Sequence, residues 1–183
     1  MNSMEHYLQL KATDRLNIRP LTLDDVPIWS TFLGAPSTTR YFPEAMRAQG
    51  AQQARPWIER QIDRYHNGQF GLLALLEKES GNFVGQCGLI TQTVDEQEVL
   101  EIGYHLLPDY WGKGYATEAA RFFRQYAFSR KLADRLVSII HIDNVPSQRV
   151  AERNGMRRGR QTDFRGIPVF IYHTEDPSIP TTR

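Results

Sequence analysis

From Arg15 to Leu21 the chain alternates polar and apolar residues, the period of a half-buried strand, and Pro20 marks that strand as an edge because it has no N–H for a ladder. Thr22, followed by Asp24 and Asp25, suits a helix start. Val26, Ile28, Trp29, Phe32 and Leu33 then make a helical apolar stripe that Gly34 and Pro36 stop. A second helix is predicted from Ala51 to His66, with Trp57, Ile58, Ile62 and Tyr65 on one face and Asn67-Gly68 closing it. Three apolar runs follow, Phe70 to Leu76, Phe83 to Ile90 and Leu100 to Leu106, and they read as consecutive antiparallel strands. The turn-rich Lys78–Asn82 joins the first two, and polar Val94 to Glu98 reads as a loop before the third. Beyond Gly112-Lys113-Gly114, the residues Ala116, Ala119, Ala120, Phe123 and Ala127 form a small-residue helix face able to lie close on a sheet, with Arg121 and Arg124 toward water. A strand from Leu136 to Ile142, a short helix ending at Asn154-Gly155, and a hairpin of Gly159–Phe164 with Val169–Thr174 complete the pattern. The fold class is α+β, built on one mixed sheet.

With 183 residues and no Pro/Ser/Gly-rich linker, the chain is expected to form one domain over 15–174, with a loosely attached polar segment at 1–14 and a frayed tail at 175–183. A formal net charge of +1, with arginines spread along the chain, argues against a nucleic-acid partner. The apolar runs are too short to span a membrane, and the one cysteine, Cys87, allows no intramolecular disulfide. A soluble cytoplasmic protein is expected. Cys87 reads as a small core residue rather than a nucleophile. The five histidines, His6, His66, His105, His141 and His173, have no ligand spacing, so no metal is expected.

Candidate chemistry centres on Glu101 to Glu118, which reads as strand, glycine loop, helix. Backbone N–H groups without intrahelical partners converge at such a helix start, and the helix dipole favours an anion there. A Walker loop does not fit the spacing around Gly112-Lys113-Gly114. A Rossmann fingerprint would need glycine at Thr117 and an acidic residue closing the next strand, whereas Asp134 precedes that strand. The glycines alone do not separate a nucleotide site from an ordinary turn.

The wider pattern does. Trp111-Gly112-Lys113-Gly114-Tyr115-Ala116-Thr117-Glu118, then Asn144-x-x-Ser147 and Gly155-Met156, resembles the GCN5-related N-acetyltransferase (GNAT) superfamily, and especially its ribosomal-protein N-terminal acetyltransferase (RimJ/RimL-like) branch. Gly114 and Ala116 meet the last fixed positions of that family's coenzyme A loop, with Trp111 at the first. The resemblance implies a mostly antiparallel sheet with a splayed parallel pair, and acetyl-CoA as co-substrate. It also implies a pyrophosphate site on the amides of Gly112, Lys113, Gly114, Tyr115, Ala116 and Thr117. Pantetheine would run along the backbone at His105, Leu106 and Leu107, with the Leu106 N–H toward the thioester oxygen and Asn144 holding the arm.

For the amine, Glu101 is the expected base, because an α-amine with a pKa near 8 demands less help than a lysine amine near 10.4. The tyrosine that many family members use as general acid is replaced by Ala151. Ser147 is therefore expected near the leaving sulfur, unless it serves as a helix cap, and Tyr104, Tyr115 and Tyr172 are the other hydroxyls at hand. His105 and His141 flank the expected cofactor gap and read as hydrogen-bonded sheet histidines, with a proton relay as the alternative. Tyr41, Phe42, Phe170 and Tyr172 are expected to wall the acceptor pocket. The acceptor is a primary amine, on a protein N-terminus first and on an aminoglycoside-like or polyamine molecule second. A CoA-binding module without transfer activity is the alternative from another class, and exposed strand edges permit a homodimer.

Overall fold

The computed structural model describes residues 3–178. Seven strands form one sheet in the order β1-β2-β3-β4-β5-β7-β6. They are β1 (Leu16–Pro20), β2 (Leu72–Glu77), β3 (Phe83–Val94), β4 (Gln97–Leu106), β5 (Arg135–His141), β6 (Arg157–Phe164) and β7 (Ile167–Glu175). Every neighbouring pair is antiparallel except β4 with β5. The helices are α1 (Ser3–Leu8), α2 (Val26–Gly34), α3 (Pro36–Thr39), α4 (Glu44–Gln49), α5 (Ala54–His66), α6 (Tyr115–Ser129) and α7 (Val145–Arg153).

The two sheet faces carry separate cores. On one, the small-residue face of α6 lets Ala119, Ala120, Phe123 and Ala127 pack with Leu73, Leu89, Ile102 and Leu106. On the other, α2 and α5 bring Trp29, Phe32, Trp57 and Ile58 against Leu72, Ala74 and Ile90. Cys87 lies in the α6-side core, and burial pushes its thiol up, away from any nucleophilic role.

Four local expectations change. Residues 94–98 are not a loop: β3 continues to Val94, β4 starts at Gln97, and Asp95 and Glu96 turn between them at φ 48° and 63°. Two consecutive positive φ values match the twist of the paired strands, so the hairpin extends instead of opening. The segment expected to be loose at 1–14 is anchored, because α1 buries Met4 and Tyr7 in the core. The Tyr7 hydroxyl donates to the Gly71 carbonyl at 2.7 Å and accepts the Leu89 N–H at 2.9 Å, tying α1 to β2 and β3. At the other end, Asp176 is buried and its N–H donates to the Asp134 carbonyl at 2.8 Å. The rest of the expected tail, 179–183, lies outside the described residues. Finally, Arg124 is only partly exposed: its guanidinium donates to the Asn154 carbonyl at 2.5 Å, joining α6 to the end of α7.

Candidate active site

β4 and β5 pair at only two positions, Leu100 with Leu136 and Glu101 with Val137, and then part. The ladder between β3 and β4 fixes what faces the gap. Leu107 donates its N–H to the Val84 carbonyl at 2.9 Å, so by alternation the backbone groups of Leu107, His105 and Gly103 serve β3, while those of Leu106, Tyr104 and Ile102 face β5. Two side chains confirm this phase: Ser138 Oγ donates to the Ile102 carbonyl at 2.8 Å, and the Trp111 indole N–H donates to the Leu106 carbonyl at 2.7 Å. Of the three backbone positions expected to hold pantetheine, His105 and Leu107 are therefore committed to β3. The N–H of Leu106 and both backbone groups of Tyr104 are the ones that open on the gap.

Glu101 stands at the fork itself. It lines a cavity of about 580 Å³ bounded by β4, β5, α4, α5 and the β6–β7 turn. Its carboxylate accepts from Gln92 Nε2 at 2.9 Å and from the Ile139 backbone N–H. Gln92 Oε1 in turn accepts from Arg165 at 3.2 Å. This orients the amide, because a guanidinium can only donate and leaves the NH₂ group for the carboxylate. Burial raises the Glu101 carboxyl above the usual carboxylate range against the opposing pull of those donors. The result is a desolvated, oriented carboxylate of increased basicity, the property a general base needs.

His105 shares Glu101's sheet face and lines the same cavity. It is not the hydrogen-bonded sheet histidine that was expected: no described residue bonds to its ring nitrogens. Aromatic rings surround it instead, with Trp57, Phe42, Phe32 and Trp29 at centroid distances of 5.3, 5.5, 6.2 and 6.4 Å. Burial lowers its pKa to about 4, so the imidazole is neutral at neutral pH. Because the unfolded chain takes up the proton near pH 6.5 and the folded one does not, stability should fall as pH drops from about 6.5 through about 4. The full shift corresponds to about 3 kcal/mol, and the opening of the ring onto the cavity makes the real effect smaller. Chemical denaturation at pH 7 and pH 4.5 should show this loss, and it should shrink in His105→Phe. An equal loss in both proteins would assign it to other groups.

At the far end of β4, Gly112 and Gly114 adopt φ 73° and 83°, and Gly114 is the N-cap of α6. These left-handed positions turn the chain so that the first amides of α6 open outward, and residues 112–114 are exposed. Arg15 braces this turn. Its guanidinium donates to the Lys113 carbonyl at 2.9 Å and to Glu118 at 2.7 Å, and it stacks over the Tyr115 ring at 4.4 Å. Burial works against the Glu118 charge, but donation from Thr13 and Arg15 outweighs it and holds that carboxyl below the usual range. No sequence pattern pointed to Arg15, because its partners lie about a hundred residues away. Lys113 stays exposed, with its ammonium 5.2 Å from the Tyr110 ring centroid.

Across the gap, Asn144 is the N-cap of α7 and accepts the Ser147 N–H at 3.3 Å, so the cap is Asn144 and not Ser147. Both line the cavity. The Ser147 carbonyl accepts the Tyr104 hydroxyl at 2.8 Å, a bond that spans the fork. Burial pushes the Tyr104 phenol far up, so it stays protonated. Ala151 lies on the buried face of α7 and is fully buried. Tyr115 donates to Glu77, and the Tyr172 hydroxyl bonds to Gln148 and Glu152, both at 3.2 Å, so neither faces the gap. Tyr41 and Phe42 line the cavity as expected. Phe170 and Tyr172 do not. Side chains alternate along β7, so Val169 reaches the cavity, while Phe170 and Tyr172 pack on the α7 side with Ala151 and Met156.

A sheet that forks beside a partly buried carboxylate, with an exposed glycine turn and helix N-terminus at the mouth of the fork, is the layout that the resemblance to the acetyltransferase superfamily implies, in which the acyl group comes from a nucleotide-linked thioester. The family model described as Acetyltransferase (GNAT) domain matches residues 15–157. The chain is 29% identical over 162 residues to YkkB of Bacillus subtilis, covering 88% of this chain and 92% of that protein. Among solved structures, an acetyltransferase from Agrobacterium tumefaciens is 26% identical with a TM-score of 0.72, covering 90% of this chain and 92% of that one. The ribosomal L7/L12 α-N-protein acetyltransferase RimL, solved with coenzyme A, is 15% identical with a TM-score of 0.74, covering 91% of this chain and 97% of its own. The chain belongs to the GNAT acetyltransferase family and is an acetyl-CoA-dependent N-acetyltransferase. Among the described residues, no helix is long and apolar enough to cross a membrane, and no group of three or more His, Cys, Asp or Glu side chains is placed to hold a metal ion.

Proposed function

We propose that the enzyme acetylates the α-amine of a protein or peptide N-terminus by direct transfer within a ternary complex, in the cytoplasm. The position of Glu101 carries this reading: among the described residues it is the only carboxylate lining the cavity, and it stands where β4 and β5 separate. Acetyl-CoA supplies the activated acyl group. The amides of Gly112 to Thr117 hold its pyrophosphate, with Trp111 beside them, and the gap-facing backbone of Tyr104 and Leu106 receives the pantetheine arm. The Leu106 N–H donates to the thioester oxygen as negative charge develops there. Glu101, directly or through a water, takes the proton that the amine loses as its nitrogen bonds the acyl carbon. The C–S electron pair leaves on sulfur, and Ser147 stabilises that sulfur until it is protonated. The net change is one amide and one thiol.

The resemblance of the fold to RimL supports the N-terminal acceptor. The less basic α-amine also suits a single buried carboxylate as base. Buried Ala151, at the family's usual acid position, favours the second reading, a CoA-binding module without turnover. A thiol-release assay with acetyl-CoA over peptide α-amines, lysine amines, polyamines and aminoglycosides separates these readings. Release that is greatest with a peptide α-amine supports the proposal. Release only with a small amine moves the acceptor class, and calorimetric binding of acetyl-CoA without release from any amine identifies a module.

A further inference from the structure

The charge lining the acceptor cavity is unbalanced. Among the described residues, Arg60 and Arg64, one turn apart on α5, and Arg165, from the β6–β7 turn, face it with Glu101 as the only carboxylate, three cations against one anion. Several arginines elsewhere are neutralised in place: Arg15 pairs with Glu118, Arg19 with Asp25 and Arg160 with Asp95. Among the described residues, Arg60 makes no hydrogen bond or ion pair, and Arg64 makes only a long 3.4 Å contact to the Phe70 carbonyl. Burial and the repulsion of Arg165 work against the charge of Arg60 and Arg64, and Glu101 offsets part of this at Arg64. Three guanidiniums that converge on one cavity, Arg64 partly buried and Arg60 and Arg165 exposed, outnumber the single carboxylate there and leave a net positive charge that suits a further anion.

Resting on the proposed transfer reaction, we infer that the acceptor is an anionic amine, whose carboxylate or phosphate is clamped by Arg60, Arg64 and Arg165 while its amino group reaches Glu101. The same charges select the reactive form of the nucleophile. A positive wall disfavours an ammonium and so favours the neutral amine that can attack. Polyamines and aminoglycosides, which bring several positive charges, are disfavoured for the same reason. The anion can come from an acidic first or second residue of a peptide, from a free amino dicarboxylate, or from an aminoalkyl phosphate.

The experiment compares kcat/KM by thiol release for a peptide beginning with Asp or Glu, its Asn or Gln counterpart, free glutamate, phosphoethanolamine and spermidine. The acidic peptide should exceed its amide counterpart about tenfold or more, the size expected for charge-assisted pairing. That ratio should collapse toward one in Arg60→Gln and in Arg64→Gln, and should shrink with added salt. A preference confined to glutamate or phosphoethanolamine supports the clamp and overturns the N-terminal acceptor. Equal rates for the acidic and amide peptides with no gain for the small anions, preference for spermidine, or a ratio that survives both substitutions overturns the inference. If no amine releases thiol, calorimetric titration of the acidic peptide onto the acetyl-CoA-saturated protein decides. Binding that weakens about tenfold in the arginine variants supports the clamp although the transfer reading fails, and absence of binding overturns it.

Discussion

Glu101→Gln is expected to lower turnover on an amine acceptor by about 10²–10⁴-fold, the usual contribution of a positioned general base. The glutamine is nearly isosteric, so the cavity and the fork should persist, and affinity for acetyl-CoA should change little. The pH dependence is the sharper readout. In the wild type, activity falls on acidification as Glu101 takes a proton, at a pH above the ordinary carboxylate range because burial raises its carboxyl. That acidic limb of the kcat/KM profile should vanish in the variant, leaving only the ionisation of the amine. An acidic limb unchanged in position and depth would remove Glu101 from the base role.

The second large effect is expected at the glycine turn. Gly114→Val should weaken acetyl-CoA binding by roughly 100-fold or more, because a β-branched residue resists the φ of 83° that aims the first amides of α6 outward. Such strain costs on the order of 1–3 kcal/mol and forces the turn to rearrange. Gly81→Val is the control. Gly81 has φ 74° and open space around its Cα, in the β2–β3 hairpin. It should lose comparable stability by thermal melting while its acetyl-CoA affinity, measured by calorimetry, stays at the wild-type value. Retained affinity in Gly114→Val would place the pyrophosphate elsewhere.

Where residues act through local periodicity, the fold was legible in the sequence. The stripes of α2, α5 and α6 were visible because apolar residues recur every three or four positions, and β1 through its strict alternation. Asp95-Glu96 was not legible as a tight turn, since a non-glycine pair at positive φ carries no common turn signature. Nor was the anchoring of α1, because Tyr7 binds Gly71 and Leu89, which are remote in sequence. The short α3 and α4 carry too few turns to show a period, although they bring Tyr41 and Phe42 to the cavity.

In the site, Glu101 and the Gly112–Thr117 turn were legible because they adjoin a motif. Phe170 and Tyr172 were misplaced because a hairpin's parity depends on its register, and one residue moves a side chain to the opposite face. The commitment of His105 and Leu107 to β3 followed only from the observed ladder phase. Arg60, Arg64 and Arg165 look like ordinary surface charges in sequence, and only their convergence on one cavity marks them.

The placement of the thioester in the fork between β4 and β5 is tested most directly by amide hydrogen exchange, resolved by residue, with and without acetyl-CoA. The amides of Tyr104 and Leu106, which face the gap, should slow markedly when acetyl-CoA binds, together with those of residues 112–117. The amides of His105 and Leu107, already held by β3, should change little. Protection that leaves Tyr104 and Leu106 unaffected while appearing at another edge of the sheet would contradict the account.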